Sequence, residues 1–196
     1  MLSFGKKVWP KRSLTPRMSR RKGMGHVNIE IKAECQNTQY IREVLTGASA
    51  RFQGTDHQID TYFNSTHGRL KLREGTIENF LVYYEREDKQ GPKQSNVSLF
   101  KSEPGSSLKD LLTQSLGVLV VVDKSRDIYW IDNVKFHLDT VVNLGSFVEI
   151  EAIDYNGSIG RDKLLEQCQH YLELFQIPQQ ALIARSYSDL LLERVK

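Results

Sequence analysis

The sequence has little cysteine: two residues in 196, Cys35 and Cys168, far apart and without metal-ligand spacing. That argues against a disulfide framework or a cysteine-based zinc site and fits two reduced thiols in a reducing compartment. No apolar run approaches the roughly 20 residues that a membrane-spanning helix needs. The longest, Val118–Val122, reads as a buried strand. There is no Gly-rich phosphate loop, no evident Ser/His/Asp arrangement and no repeat of fixed period. No pair among His57, His67, His137 and His170 has ligand spacing. His137 alone, near the charged positions described below, merits testing as a base-contacting or proton-relay group.

Acid is also missing from the first 29 residues, which hold eight Lys and Arg and no Asp or Glu. The remaining 167 residues carry 19 basic against 24 acidic side chains, so the formal charge of +3 belongs to the amino-terminal segment. A basic balance confined to a tail does not mark a nucleic-acid-binding surface. Residues 1–25, with Pro10 and Pro16 and no strand or helix period, are predicted to be a disordered basic tail. Its Arg/Ser-rich, acid-free composition also resembles a mitochondrial transit peptide. The expected location is cytoplasmic, with mitochondrial import as the alternative and no membrane or nucleic-acid partner. Residues 26–196 are predicted to form one domain.

From His26 the pattern becomes alternation. Val27, Ile29, Ile31 and Ala33 share one face of a strand, with Asn28, Glu30, Lys32 and Glu34 on the other. Thr38–Thr46 has helical spacing. Ile59–Phe63 and Arg69–Glu74 read as a hairpin, followed by strands over Asn79–Arg86 and Asn96–Ser102 with a polar loop at Asp88–Ser95. Ser106 or Ser107 is the expected cap of a helix ending at Gly117. Strands are then predicted over Val118–Arg126, Asp127–Ile131, Val134–Val142 and Phe147–Ala152, followed by helices over Arg161–Phe175 and Ser186–Glu193. Successive antiparallel strands in two groups, each followed by a helix, point to an α+β fold in which a large sheet curls up, rather than a doubly wound parallel sheet.

The informative residues stand opposite the apolar face of each strand. Lys71 and Arg73 share a face, as do Lys124 and Arg126, then Lys135, His137 and Asp139, then Glu149 and Glu151. A solvated face normally mixes signs, whereas several of these strands present one sign. If the sheet closes, one face becomes a lumen, and charge enclosed there needs a large charged ligand to offset it. A polyphosphate with a divalent cation meets that need. Arg and Lys hold phosphate oxygens, and carboxylates at i, i+2, such as Glu149 and Glu151, converge on Mg2+ or Mn2+. Phosphoryl chemistry asks mainly for positioning and charge neutralisation.

The ordered motifs resemble the CYTH superfamily, which includes class IV adenylyl cyclases and thiamine triphosphatases. Asn28-Ile-Glu-Ile-Lys32 is similar to the family's E-x-E-x-K strand apart from its first position. Asp60–Phe63 and Leu70–Gly75 resemble its second and third strands, and Lys124–Tyr129 its K-x-R-x-x-Y stretch. Leu138-Asp139 with Leu144–Glu151 resembles the cyclase-like run, and Arg185–Leu191 the carboxyl-terminal signature. The likeness extends from Val27 to Glu193 and leans toward the cyclase branch.

That resemblance implies an eight-stranded antiparallel closed barrel, the triphosphate tunnel, with flanking helices. It implies that Glu30 and Glu149 ligate Mg2+ or Mn2+, with Glu151 and Asp139 assisting. Lys32, Lys71, Arg73, Lys124 and Arg126 would grip the phosphates, with Lys32, Arg73 and Arg126 carrying the catalytic part. Lys101 with Glu103 would form a further inward pair. The implied activity is conversion of ATP to cyclic AMP and pyrophosphate. The alternatives are hydrolysis of thiamine triphosphate or inorganic triphosphate, or polyphosphate binding without turnover. A homodimer is a possible assembly. Two departures stand out: Asn28 replaces the first signature glutamate, and Tyr84 stands where relatives often have a phosphate-binding lysine, with Arg86 two residues on.

Overall fold

The computed structural model describes residues 24–194. The predicted tail at 1–25 therefore lies almost wholly outside the described residues, as does its targeting alternative. Eight strands form the sheet: β1 (Met24–Glu34), β2 (Arg51–Phe63), β3 (Arg69–Gly75), β4 (Phe80–Arg86), β5 (Lys93–Lys101), β6 (Val118–Ile131), β7 (Val134–Val141) and β8 (Gly145–Asp154). Around them run α1 (Thr38–Gly47), α2 (Leu108–Leu116), α3 (Arg161–Leu174) and α4 (Tyr187–Arg194). The order β1-β5-β4-β3-β2-β6-β7-β8 closes on itself, and every pairing is antiparallel. The closed barrel predicted through the resemblance is what the chain adopts.

The two periods of each strand divide the work. Outward apolar residues of β1, β7 and β8, including Ile29, Ile31, Phe136, Val148 and Ile150, pack under Ile41 and Leu45 of α1 and Leu164, Cys168 and Leu172 of α3. Each such buried side chain contributes about 1.5–3 kcal/mol. Asn37 caps α1, its Oδ1 accepting from the Tyr40 N–H at 3.1 Å. Ser107 stands at the expected cap position of α2, but its side chain makes no capping bond.

A second cluster lies at one end of the barrel, where Tyr187, Leu190 and Leu191 meet Tyr62, Val82, Tyr84, Val141 and Phe147. The segment leading into α4 is fastened across that end. Ile183 N–H donates to the Lys32 carbonyl, and Lys93 Nζ donates to the carbonyls of Ile183 and Ala184 at 3.0 and 2.9 Å.

Three boundaries differ from those predicted. β2 begins at Arg51, eight residues before the expected Ile59. Its buried inward positions there are Asp56 and Gln58, so the strand continues where hydrophobic alternation does not. β5 begins at Lys93, inside the expected loop, for the same reason: Lys93 and Ser95 are buried and polar. Val118–Ile131 is one continuous strand, because β2 pairs along its whole length. Among the described residues no helix is long and apolar enough to cross a membrane.

Candidate functional site

The inward faces enclose a cavity of about 240 Å³. Its centre of organisation is Asp60 on β2, wholly buried. Asp60 Oδ2 accepts from Lys71 Nζ at 2.8 Å, Lys124 Nζ at 2.6 Å and Arg73 Nη2 at 3.0 Å, while Oδ1 accepts from Arg73 Nε at 2.9 Å. β3 and β6 flank β2 on either side, which is why cations from both neighbouring strands meet one carboxylate. With Glu78 serving Arg73 and Lys135 as well, two carboxylates meet four cations here, and the surplus faces the lumen. Burial lowers the Lys124 ammonium to about 7 against the pull of Asp60, with Arg73 and Arg126 adding to the fall.

Arg126 is held by a second carboxylate. Asp139 accepts from its Nε and Nη2 at 2.6 and 2.5 Å, and the Tyr187 hydroxyl donates to Asp139 at 2.8 Å. Such a bidentate grip fixes the guanidinium plane. Arg126 also donates to Glu149 at 2.7 Å, and Lys32 Nζ lies 2.9 Å from the same carboxylate and 3.6 Å from the centre of the Tyr187 ring. Burial disfavours a charged Glu149, but Lys32 and Arg126 outweigh it and hold its carboxyl well below the usual range.

His137, Glu149 and Glu151 each bring a ligand atom within 4.8 Å of the others. His137 Nδ1 is 3.1 Å from Glu149, and burial, with Arg126 and Lys135, lowers the imidazole to about 3, so it is neutral near pH 7. Its Nε2 is buried without a hydrogen-bond partner. Burial and the Glu149 charge raise the Glu151 carboxyl to about 7. A neutral imidazole with two carboxylates fits Mn2+, which accepts nitrogen as well as oxygen donors, while Mg2+ would rely on the two carboxylates.

Glu78 and Tyr187 are among the lumen residues that the sequence reading did not single out. Glu78, from the β3–β4 turn, accepts from Arg73 at 3.0 Å and Lys135 at 2.5 Å. Its turn is gathered on the buried Asp56, which accepts from Thr76 Oγ1 and the N–H groups of Ile77 and Glu78. Gly75 permits this, since a Cβ there would sit 2.7 Å from Asp56 Oδ1 and from the Glu78 carbonyl. Tyr187 is carried in by α4. Neither belongs to an alternating charged strand, so only the resemblance of Arg185–Leu191 pointed near one of them.

The structure brings Lys32, Lys71, Arg73, Lys124, Arg126, Glu30, Glu149 and Glu151 to the cavity wall. It corrects two expectations. Asp139 is fully buried behind Arg126, with both oxygens engaged, so it positions that arginine and stands apart from the His137, Glu149 and Glu151 group. Lys101 shares the face of Ser95, Val97 and Leu99 but lies exposed at the end of β5, as does Glu103 beyond it, so they form no inward pair. Glu30 is engaged by Arg86, the cation two residues past Tyr84.

An eight-stranded antiparallel tunnel with a cation-and-carboxylate lumen defines the triphosphate-tunnel fold. The CYTH domain model matches residues 26–187, and the chain belongs to that family. The Methanocaldococcus jannaschii protein named "Putative adenylate cyclase MJ0240" is 28% identical over 180 residues, covering 84% of this chain and 98% of that protein. Among solved structures, the PH1012 protein of Pyrococcus horikoshii OT3 superposes with a TM-score of 0.67 at 24% identity, covering 83% of this chain and 98% of its own. HpAC1 from Hippeastrum, for which a dominant triphosphatase activity is described, has a TM-score of 0.56 at 15% identity, covering 87% of this chain and 95% of its own.

Proposed function

We propose that the chain is a divalent-metal-dependent enzyme that seats an organic triphosphate in its tunnel and converts ATP to cyclic AMP and pyrophosphate. The single observation carrying this reading is the convergence of Lys71, Arg73 and Lys124 on the one carboxylate of Asp60. Cations so placed are preorganised, and their excess charge awaits an anion.

In this reading Arg73, Lys71 and Lys124 hold the phosphate chain, and Arg126 and Lys32 reach the oxygens beside Glu149. Arg126, locked by Asp139, stabilises charge as it builds on the departing pyrophosphate. His137, Glu149 and Glu151 would hold the metal, which supplies Lewis-acid stabilisation of the same oxygens. The ribose 3′ oxygen forms the new bond to the α-phosphorus as the bridging bond to the β-phosphate breaks, and the proton lost from the 3′ hydroxyl is taken up by the departing pyrophosphate. The cyclase assignment draws on the name of the 28%-identical archaeal relative.

The second reading is hydrolysis, with water attacking in place of the ribose oxygen. It is favoured by the fact that the Asp60-centred cations address phosphate alone and select no nucleophile. Incubating the full chain with Mn2+ or Mg2+ and ATP, thiamine triphosphate or inorganic triphosphate separates the readings. Cyclic AMP with pyrophosphate supports the first and orthophosphate the second. Tight binding without any product would leave a polyphosphate-binding protein and sink both.

A further inference from the structure

Four buried polar atoms on the lumen wall lie outside the phosphate and carboxylate machinery and have no hydrogen-bond partner: Asn28 Oδ1, Ser95 Oγ, and Nε and Nη2 of Arg86. They are not scattered. Asn28 on β1 stands directly opposite Ser95 on β5, and Ser95 stands directly opposite Arg86 on β4, so the three form one row across three adjacent strands. All three line the cavity. Asn28 is 3% exposed, Ser95 1% and the Arg86 side chain 4%, so solvent does not satisfy them. An orphaned buried polar group is costly, and a native row of them calls for a ligand.

The charge of this row decides what kind of ligand. Arg86 has paired with Glu30, and its Nη2 lies 3.9 Å from Asp88 Oδ1, so the row offers hydrogen bonds without surplus positive charge. A further phosphate would be poorly served there. The unused groups are the three N–H donors of two guanidinium nitrogens, one hydroxyl that both donates and accepts, and one amide oxygen that accepts. Adjacent hydroxyl groups, each able to donate and accept, complement that set.

Position agrees with composition. Along β1 the cavity wall presents Lys32, Glu30, Asn28 and His26 in turn, about 6.7 Å per step. Lys32 belongs to the phosphate grip, Glu30 sits level with Glu151 of the carboxylate cluster, and His26 packs 5.4 Å from the Tyr155 ring. Charge, carboxylates, neutral polar row and aromatic rings therefore follow one another in the order triphosphate, sugar, base.

We infer that Asn28, Ser95 and Arg86 form a subsite for the vicinal hydroxyls of a ribose, which makes ribonucleoside triphosphates the preferred ligand class over inorganic triphosphate and over dideoxynucleotides. This rests on the triphosphate reading above and deepens it. A site built to pair a hydroxyl discriminates strongly against the analogue lacking it, because its own polar groups are then left unpaired.

The test is calorimetric titration of the full chain with ATP, 2′,3′-dideoxy-ATP and inorganic triphosphate, with Ca2+ as the divalent ion. ATP should bind at least about tenfold more tightly than the dideoxy analogue. In Asn28→Ala and in Ser95→Ala that ratio should fall toward one. A wild-type ratio near one, or an unchanged ratio in both variants, overturns the subsite while binding of inorganic triphosphate leaves the tunnel reading intact. Failure of all three to bind overturns both.

Discussion

Lys124 Nζ and Asp60 Oδ2 lie 2.6 Å apart in the centre of the barrel, each only 1% exposed. A fully buried ion pair is weak evidence of stability, because desolvation offsets much of its attraction. Here the carboxylate is also shared with Lys71 and Arg73, so the arrangement favours an incoming anion more than it favours the apo fold.

Asp60→Asn should destabilise the free protein by about 3–5 kcal/mol, since Lys71 and Lys124 then lose their counter-charge and Arg73 keeps only Glu78. Added inorganic triphosphate should recover most of that loss, because it restores negative charge among them. Denaturant unfolding with and without inorganic triphosphate measures both numbers. Wild-type stability in the variant would contradict the shared-carboxylate account.

The pH dependence follows from the same lysine. With its ammonium lowered to about 7, Lys124 is largely neutral in the free site above pH 7 and charged below it. A phosphate oxygen beside it stabilises the charged form and raises the pKa again. Binding should therefore take up close to one proton at about pH 8–9 and little below about pH 6. Calorimetry in buffers of different ionisation enthalpy reads the proton count directly. Lys124→Met should remove most of the uptake, the remainder coming from Glu151 and Lys93.

Metal binding discriminates the cluster in the structure from the ligand set predicted through the resemblance. Titration with Mn2+ followed by electron paramagnetic resonance should show affinity falling about tenfold or more in Glu149→Gln and Glu151→Gln. Asp139→Asn should leave Mn2+ affinity within a few-fold, because Asp139 is spent on Arg126 and Tyr187. Equal losses in all three variants would return Asp139 to the ligand set.

Replacing the locked guanidinium tests positioning. Arg126→Lys keeps the charge but cannot make the two bonds to Asp139 together with the one to Glu149. Turnover should drop by about 100-fold with a much smaller change in triphosphate affinity. The kcat and KM of the variant decide this. A change confined to KM would show that Arg126 only binds.

Much of this was legible beforehand because a tunnel strand carries two independent patterns. Ile29 and Ile31 mark the covered face of β1, and Glu30 and Lys32 mark the lumen, so alternation located both core and charge. The same logic failed where the lumen is polar and the outer face exposed, at Asp56, Gln58, Lys93 and Ser95, and there β2 and β5 ran longer than hydrophobic pattern suggests. Glu78 escaped because a turn delivers it, through hydrogen bonds to Asp56 that no local spacing records.

The sequence by itself determined which strands are amphipathic and which cations and carboxylates share a polar face, since side-chain direction alternates along any strand. Only the tertiary structure decided the partners. Closure places β1 between β5 and β8, so Glu30 meets Arg86 and Lys32 meets Glu149, 56 and 117 residues away. It seats Tyr187 against Asp139, whose carboxylate also holds the Arg126 guanidinium by two bonds. Pairing between distant charges depends on which strands become neighbours when the sheet closes, and that is a property of the whole barrel.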